Sequence, residues 1–174
     1  AGFDRLSARA NLTLNLLGFT SLFTTGLLAD VVAPGRDTLR KQLQALTPFV
    51  DTLLPDYLGP AASKVGTDLY LIEQAERETK VRRLLINGCH WLDLVSRQNG
   101  FEGFAELPGD LRIKVVEAAE AATGTQAEVF FRHVRDEAFS HYYSRPESWA
   151  YIDAPGAPQP LGYPGFASKP VSDE

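Results

Sequence analysis

Thr125-Gln-Ala-Glu-Val-Phe-Phe-Arg-His-Val-Arg-Asp-Glu-Ala-Phe-Ser-His-Tyr-Tyr-Ser144 predicts a long helix with a defined start. Thr125 and Glu128 form a capping box, in which a hydroxyl and a carboxylate each satisfy a backbone N–H of the first helical turn. Apolar residues then recur at three- and four-residue spacing, as on one face of an α-helix. They are Phe130, Phe131, Val134, Ala138 and Tyr142. We therefore expect this face to be buried against other elements.

Upstream of this helix, Ser7 could cap a first helix that ends before Ala33-Pro34-Gly35, and a second helical pattern begins near Asp37 or Thr38. It meets Pro48, whose missing N–H is incompatible with a helix interior. We expect the helix either to kink at this proline or to restart there with Thr47 as its cap.

The middle of the chain carries two further apolar helical patterns. The first is formed by Val65, Leu69 and Ile72. Residues 73–83 are rich in charge, and we expect them to continue this helix as a solvated part. The second pattern is stronger, and it consists of Val81, Leu84, Leu85, Cys89, Leu92 and Val95. Both patterns predict helices with one buried face.

Two phenylalanines, Phe101 and Phe104, follow at a spacing that lets both enter the core. Asp110 begins another predicted helix, and Gly124 ends it. Every long element is thus helical and the connections are short. The sequence predicts an all-α fold in which residues 37–143 form a helical bundle.

After the last helix the composition changes, and residues 144–174 are predicted to be an extended arm. Six prolines lie in this segment, together with several aromatic residues. Such an arm loses less entropy on docking than a flexible one, and Trp and Tyr dominate interface energetics. The arm either wraps a partner or folds back on its own bundle. The candidate partner-interface residues are Trp149, Tyr151, Tyr163 and Phe166 of the arm, with Tyr142 and Tyr143 before it.

The N-terminal residues 1–36 contain an apolar stretch without charge from Ala10 to Ala29. A buried or partner-packing helix is one interpretation, because asparagines and threonines interrupt the stretch. A residual export signal is a second, and a membrane anchor is a third, since a span needs about 20 mostly apolar residues.

Charge and composition exclude some classes of function. The 174-residue chain has a formal net charge of -5, so it lacks the basic character of a nucleic-acid-binding protein. The lone cysteine, Cys89, lies within an apolar helical pattern, and we expect it to be a small buried side chain. No dinucleotide-binding glycine pattern, P-loop, haem-attachment motif or nucleophile elbow occurs in the sequence.

One group of residues could bind a metal. His133, Glu137 and His141 recur every four residues along the last helix. A straight ladder of this kind spreads over about 12 Å, so at most two neighbours could share one ion. We therefore expect no catalytic, cofactor-binding or metal-binding residue in this chain.

Several motifs together resemble one known family. Phe130-Phe131-Arg-His-Val-Arg135 is followed by Tyr142-Tyr-Ser-Arg-Pro146 and by Pro160-Leu-Gly-Tyr-Pro-Gly165. Upstream lie Leu43-Gln-Ala-Leu46 with Phe49-Val-Asp-Thr-Leu-Leu-Pro55, and then Leu92-Asp93, Gly100-Phe101 and Phe104. In this order, over roughly residues 37–166, they resemble the small subunit (subunit 3, or gamma) of bacterial gluconate 2-dehydrogenase.

The resemblance implies a non-catalytic, chaperone-like accessory subunit. Its partner would be a large dehydrogenase of the glucose–methanol–choline type, which carries FAD and oxidises a sugar, sugar acid or glycoside. A cytochrome c subunit often completes such complexes. The location implied is the periplasm or the periplasmic side of a membrane, although the sequence does not exclude the cytoplasm.

Two other functions remain open from the sequence. One is a free-standing enzyme that binds a metal on the His133, Glu137 and His141 face. The other is a structural protein anchored in a membrane by residues 12–32.

Overall fold

The computed structural model describes residues 35–57 and 59–149, and every regular element in these two ranges is helical. The helices are α1 (Arg36–Gln42), α2 (Leu46–Leu53), α3 (Thr67–Arg77), α4 (Thr79–Gln98), α5 (Gly109–Ala121), α6 (Gln126–Ser144) and α7 (Pro146–Trp149). Short 3₁₀ turns span Ala62–Val65 and Phe104–Glu106. The predicted all-α bundle is confirmed.

Helix α6 is the central element of the bundle, and it packs against α2, α3, α4 and α5. The Thr125 half of its predicted capping box is confirmed: Thr125 Oγ1 accepts from the N–H of Glu128 at 3.4 Å. The Glu128 carboxylate accepts in return from the N–H of Gly124 at 2.7 Å, one residue before the cap. Gly124 has a φ of 77°, a left-handed conformation that suits glycine and ends the α5–α6 connection.

The core is built around aromatic rings that come from separate helices. The ring centroid of Phe49 in α2 lies 5.2 Å from that of Phe130 in α6 and 6.1 Å from that of Phe104. Trp91 of α4 is also fully buried, and so is Cys89. Contacts at these distances add to the free energy gained by burying apolar area. The expected entry of Phe104 into the core and the burial of Cys89 are both confirmed.

The predicted break near Pro48 occurs slightly earlier than expected. α1 ends at Gln42, and α2 begins at Leu46 with Ala45 as its N-cap residue. Pro48 therefore lies in the first turn of α2, where a missing N–H costs little. The Thr47 hydroxyl does not cap a helix and instead donates to Asp68 Oδ2 of α3 at 2.7 Å.

The expectation of one helix from Val65 to Arg83 with Leu69 inward is wrong on two points. Gly66, with φ of 78°, separates the 3₁₀ turn from α3 and resets the helical phase, so that Leu69 is 49% exposed. The other two residues of the predicted face, Val65 and Ile72, are buried, and Leu71 and Ala75 of α3 also face inward. The helix then ends at Arg77, because Glu78 is extended.

The Arg82 guanidinium replaces the lost helical hydrogen bonds at this break. It donates to the carbonyl oxygens of Ala75 and Glu76 at 2.9 and 2.8 Å. The same end of α3 is joined to α1 by a two-point contact between the Arg36 guanidinium and the Glu76 carboxylate, with both distances 2.8 Å. α3 is thus tied to helices on either side of it in the chain.

The expectation of an entirely extended segment after Ser144 is wrong for its first residues. Pro146–Trp149 form the short helix α7, which packs on α6. Proline is compatible with a helix at its first position, where the missing N–H has no intrahelical partner. The apolar N-terminal stretch and the arm beyond Trp149, with Tyr151, Tyr163 and Phe166, lie outside the described residues. Of the described helices, none has the length and apolar character needed to cross a membrane.

Candidate functional site

The predicted interface residues that the structure describes lie at the C-terminal end of α6. Tyr142 is buried in the bundle, and its hydroxyl donates to the carbonyl oxygen of Pro60 at 2.9 Å. Tyr143 points the other way and is 44% exposed. The two rings meet edge to face at 5.2 Å. Tyr142 therefore supports the end of the bundle, whereas Tyr143 presents its ring to the outside.

Helix α7 folds back on this end of α6 through two side chains. Ser148 Oγ lies within hydrogen-bonding distance of the carbonyl oxygens of Tyr142 and Arg145, at 2.8 and 2.7 Å. The Trp149 indole N–H donates to the carbonyl oxygen of Tyr143 at 2.8 Å. These bonds satisfy the carbonyl groups that a helix leaves free at its C-terminus. They also hold the indole beside the last turn of α6.

One turn earlier on α6, the ring of Phe139 is stacked on that of Tyr143, with centroids 6.0 Å apart and an interplanar angle of 11°. We call Phe139, Tyr143 and Trp149 the aromatic ledge. Its rings are ordered by contacts within the chain, so little side-chain entropy remains to be lost on binding. Preordered aromatic surface of this kind is typical of interface hot spots.

A second group of polar side chains lies between α3 and α6. We call Thr67, Tyr70, Gln74, Glu137 and His141 the α3–α6 polar cluster. The Tyr70 hydroxyl donates to Glu137 Oε2 at 2.8 Å and accepts from the Gln74 amide at 2.8 Å. The Tyr70 and His141 rings are stacked at 4.6 Å, and His141 Nδ1 lies 3.1 Å from the buried hydroxyl of Thr67. Polar side chains of α3 and α6, which lie far apart in the sequence, thus supply hydrogen-bond partners to one another.

The electrostatics of this cluster favour a structural role. The hydrogen bond to Glu137, aided by burial, raises the pKa of Tyr70 above its ordinary value, so the phenol keeps its proton. Burial lowers the pKa of His141, and the nearby Arg145 guanidinium lowers it further. His141 is therefore mainly neutral near pH 7, because the ordinary histidine pKa is about 6.5. A protonated tyrosine and a neutral histidine stack without a charge penalty.

The packing separates His133 from the other two residues of the predicted ladder, Glu137 and His141. Glu137 and His141 both face α3 and belong to the polar cluster. His133 Nε2 is buried without a hydrogen-bond partner. Within residues 35–57 and 59–149, no three His, Cys, Asp or Glu side chains converge as a metal site would require.

Two carboxylates of the bundle hold the backbone in place. Asp51 accepts from both the N–H and the hydroxyl of Ser63 at 2.8 Å. Asp93 of α4 accepts from the N–H of Phe104 at 2.9 Å. Each bond crosses a loop between two elements. Burial raises the pKa of the Cys89 thiol, which disfavours the nucleophilic thiolate form.

A comparison with known families matches residues 40–156 to gluconate 2-dehydrogenase subunit 3. This chain belongs to that family. The matched region contains α2–α7 with both the polar cluster and the aromatic ledge. The family resemblance seen in the sequence is confirmed. Comparisons with curated proteins and with solved structures gave no significant match.

Membership in this family is consistent with an accessory role. The family name is that of one subunit of a multi-subunit dehydrogenase. Sequence reasoning placed Trp149 and Tyr143 in an interface, but it missed Phe139, which completes the ledge. The four-residue spacing of Phe139 and Tyr143 is the signal that could have found this stack, because such residues are neighbours on a helix.

Proposed function

We propose that this chain is the non-catalytic small subunit of a dehydrogenase complex. In this role it stabilises a large FAD-dependent enzyme that oxidises a sugar, sugar acid or glycoside, and it accompanies that enzyme during export to the periplasm. FAD is held by the large subunit, and a cytochrome c subunit carries the electrons onward. The observation that carries the proposal is the family match, which includes most of the described bundle.

The arrangement of the carboxylates supports the non-catalytic part of the proposal. Asp51, Asp93 and Glu137 are hydrogen-bonded to groups that fix loops or helix contacts. A general acid or base must instead reach a substrate proton with its own oxygen. Side chains that are already used to hold the backbone suit a subunit whose task is to keep one shape.

The aromatic ledge supports the partner-binding part. Its rings are held by Trp149 Nε1 on the Tyr143 carbonyl and by the Phe139–Tyr143 stack. A rigid aromatic surface can bind a large subunit without first being ordered, and this raises the affinity for a given buried area.

The proposal is tested by expressing the full chain with and without a candidate large flavoprotein subunit. Co-elution of the two chains, together with loss of flavin and activity when the large chain is made alone, is the expected result. A large chain that is soluble, flavin-loaded and active by itself, and that does not co-elute with this chain, would overturn the proposal.

The ledge is tested in the same complex with Tyr143→Ala combined with Trp149→Ala. We expect this double variant to be folded, as shown by cooperative thermal unfolding. It should bind the large chain at least about tenfold more weakly, because truncating a hot-spot residue costs about 2 kcal/mol or more of binding free energy. Val129→Ala is the matched control, because Val129 is an exposed apolar residue on the same helix, about 21 Å from Tyr143. Equal affinities for all three proteins would exclude the ledge from the interface.

A further inference from the structure

The outer face of α4 carries a line of basic side chains. Arg83, His90 and Arg97 are seven residues apart, so they lie on one side of the helix at intervals of about 10.5 Å. Lys80 adjoins Arg83 on the same face. All four are exposed. We call these four residues the α4 basic stripe, and its length is about 25 Å.

In the part of the chain that the structure describes, no acidic side chain forms an ion pair with this stripe. The single acid on α4 is Asp93, and its carboxylate is used by the N–H of Phe104. Glu78 and Glu102 flank the helix, but in the described ranges neither forms an ion pair with a residue of the stripe. Arg97 uses its Nε–H on the carbonyl oxygen of Glu102 and keeps its charge.

Five other arginines of the bundle are bonded within the chain. Arg36, Arg77, Arg132 and Arg135 each contact a carboxylate. Arg82, next to Arg83 in sequence, turns back to the carbonyl groups at the end of α3. The stripe is thus a continuous row of exposed basic side chains that form no ion pair in the described ranges, in a chain whose net charge is -5.

We propose that the α4 basic stripe docks on an acidic surface of the large dehydrogenase subunit. This inference rests on the proposed function, because it assigns a second contact to the same complex. Complementary charge accelerates association and fixes the orientation of two proteins. Two attachment points, the ledge at the end of α6 and the stripe along α4, would fix the bundle on its partner.

A protein surface fits the stripe better than a polyanion does. Nucleic acids and anionic membranes carry dense negative charge, and the net charge of -5 disfavours their binding to this chain. A folded partner can place a few carboxylates opposite the arginines alone. Ile86 and Leu94 lie beside the stripe and are only partly buried, so they offer apolar contact between the charges.

The test compares Arg83→Glu combined with Arg97→Glu against Lys41→Glu combined with Lys114→Glu. Both double variants change the net charge equally, but Lys41 and Lys114 are exposed on α1 and α5. The probe is the large flavoprotein subunit, and its dissociation constant is measured for each full-length protein at several salt concentrations. Circular dichroism melting checks that each variant is folded.

We expect the α4 variant to bind at least about tenfold more weakly than the wild type and to lose most of the salt dependence, while the control binds as the wild type does. Equal affinities of the two variants would overturn the stripe as a docking surface while leaving the accessory role intact. A wild-type chain that does not bind the large subunit would overturn the proposed function itself. Wild-type binding to phosphatidylglycerol vesicles that is lost in the α4 variant, with the affinity for the large subunit unchanged, would assign the stripe to a membrane and overturn the inference.

Discussion

Gly88 of α4 lies directly against the ring of Phe130 of α6, and a Cβ atom at position 88 would overlap three carbons of that ring. Both residues are buried, and Phe130 is also held by the ring of Phe49. The absence of a side chain at position 88 thus lets the ring lie against the α4 backbone. The close approach of α4 and α6 at this contact therefore requires glycine at position 88.

We expect Gly88→Ala to destabilise the protein by about 1–3 kcal/mol, because a fully buried ring cannot move aside without disturbing Phe49. This loss must exceed the roughly 1 kcal/mol that alanine gains over glycine in a helix. Urea unfolding measures the difference. Gly109→Ala is the matched control, since Gly109 is also helical and a Cβ atom added there would meet no other atom within 4 Å. The control should be neutral or slightly stabilising.

The capping box at the start of α6 gives a second prediction. Thr125→Ala removes the hydroxyl that accepts from the Glu128 N–H, and it should lower the free energy of unfolding by about 1 kcal/mol. Thr125→Ser keeps the hydroxyl and should recover most of this loss. Chemical denaturation compares the three proteins. An alanine variant as stable as the wild type would show that the Glu128–Gly124 bond suffices to start the helix.

Asp93 links α4 to the loop before α5. Asp93→Ala would leave the N–H of the buried Phe104 without its acceptor, and we expect a loss of about 1–3 kcal/mol. Asp93→Asn keeps an oxygen in the same place and should lose less. Hydrogen exchange of the Phe104 amide reports the effect locally, and unchanged protection in the alanine variant would contradict the prediction.

The α3–α6 polar cluster predicts a dependence of stability on pH. Burial lowers the pKa of His141 in the folded protein below its value in the unfolded chain. The unfolded state therefore binds more protons as pH falls through the ordinary histidine pKa of about 6.5, and stability decreases until the folded-state pKa is also passed. Above this pH range His141 is neutral in both states, so it does not change the free energy of unfolding with pH.

Urea unfolding of the wild type and of His141→Gln between about pH 7.5 and 5.5 tests this expectation around the ordinary histidine pKa. Glutamine can still bond to the Thr67 hydroxyl but does not titrate. The wild type should lose stability more steeply than the variant on acidification. Parallel pH profiles of the two proteins would mean that protonation of His141 does not destabilise the folded state.

The sequence predicted the elements that are specified by local chemistry. The α6 cap depends on Thr125 and Glu128, three residues apart, and it was visible directly. The break before α4 was missed because Glu78 is neither glycine nor proline. The end of α3 is stabilised by the Arg82 guanidinium, which donates to the carbonyl oxygens of Ala75 and Glu76. Leu69 was wrongly expected to face inward, because the left-handed Gly66 shifts the helical phase between Val65 and Leu69. Such effects depend on three-dimensional contacts that periodicity does not report.

Only some residues of the candidate site were predicted from the sequence. Trp149 and Tyr143 were predicted from composition, since aromatic residues near prolines indicate an interface. The polar cluster was not predicted, because Tyr70 meets Glu137 and His141 across 67 and 71 positions of the chain. His141 was instead assigned to a ladder along its own helix. A single sequence gives the face of a helix but does not identify the helix that packs on it.

The central position of α6 has a consequence for synthesis on the ribosome. This helix packs against α2, α3, α4 and α5, yet it is made after all of them. Until α6 emerges, Phe130 cannot cover Phe49 and the α4 backbone at Gly88. The nascent chain then exposes the apolar faces of α2, α3, α4 and α5. We expect the unfinished chain to be a substrate for chaperones, and the bundle to close in one late step when α6 leaves the exit tunnel.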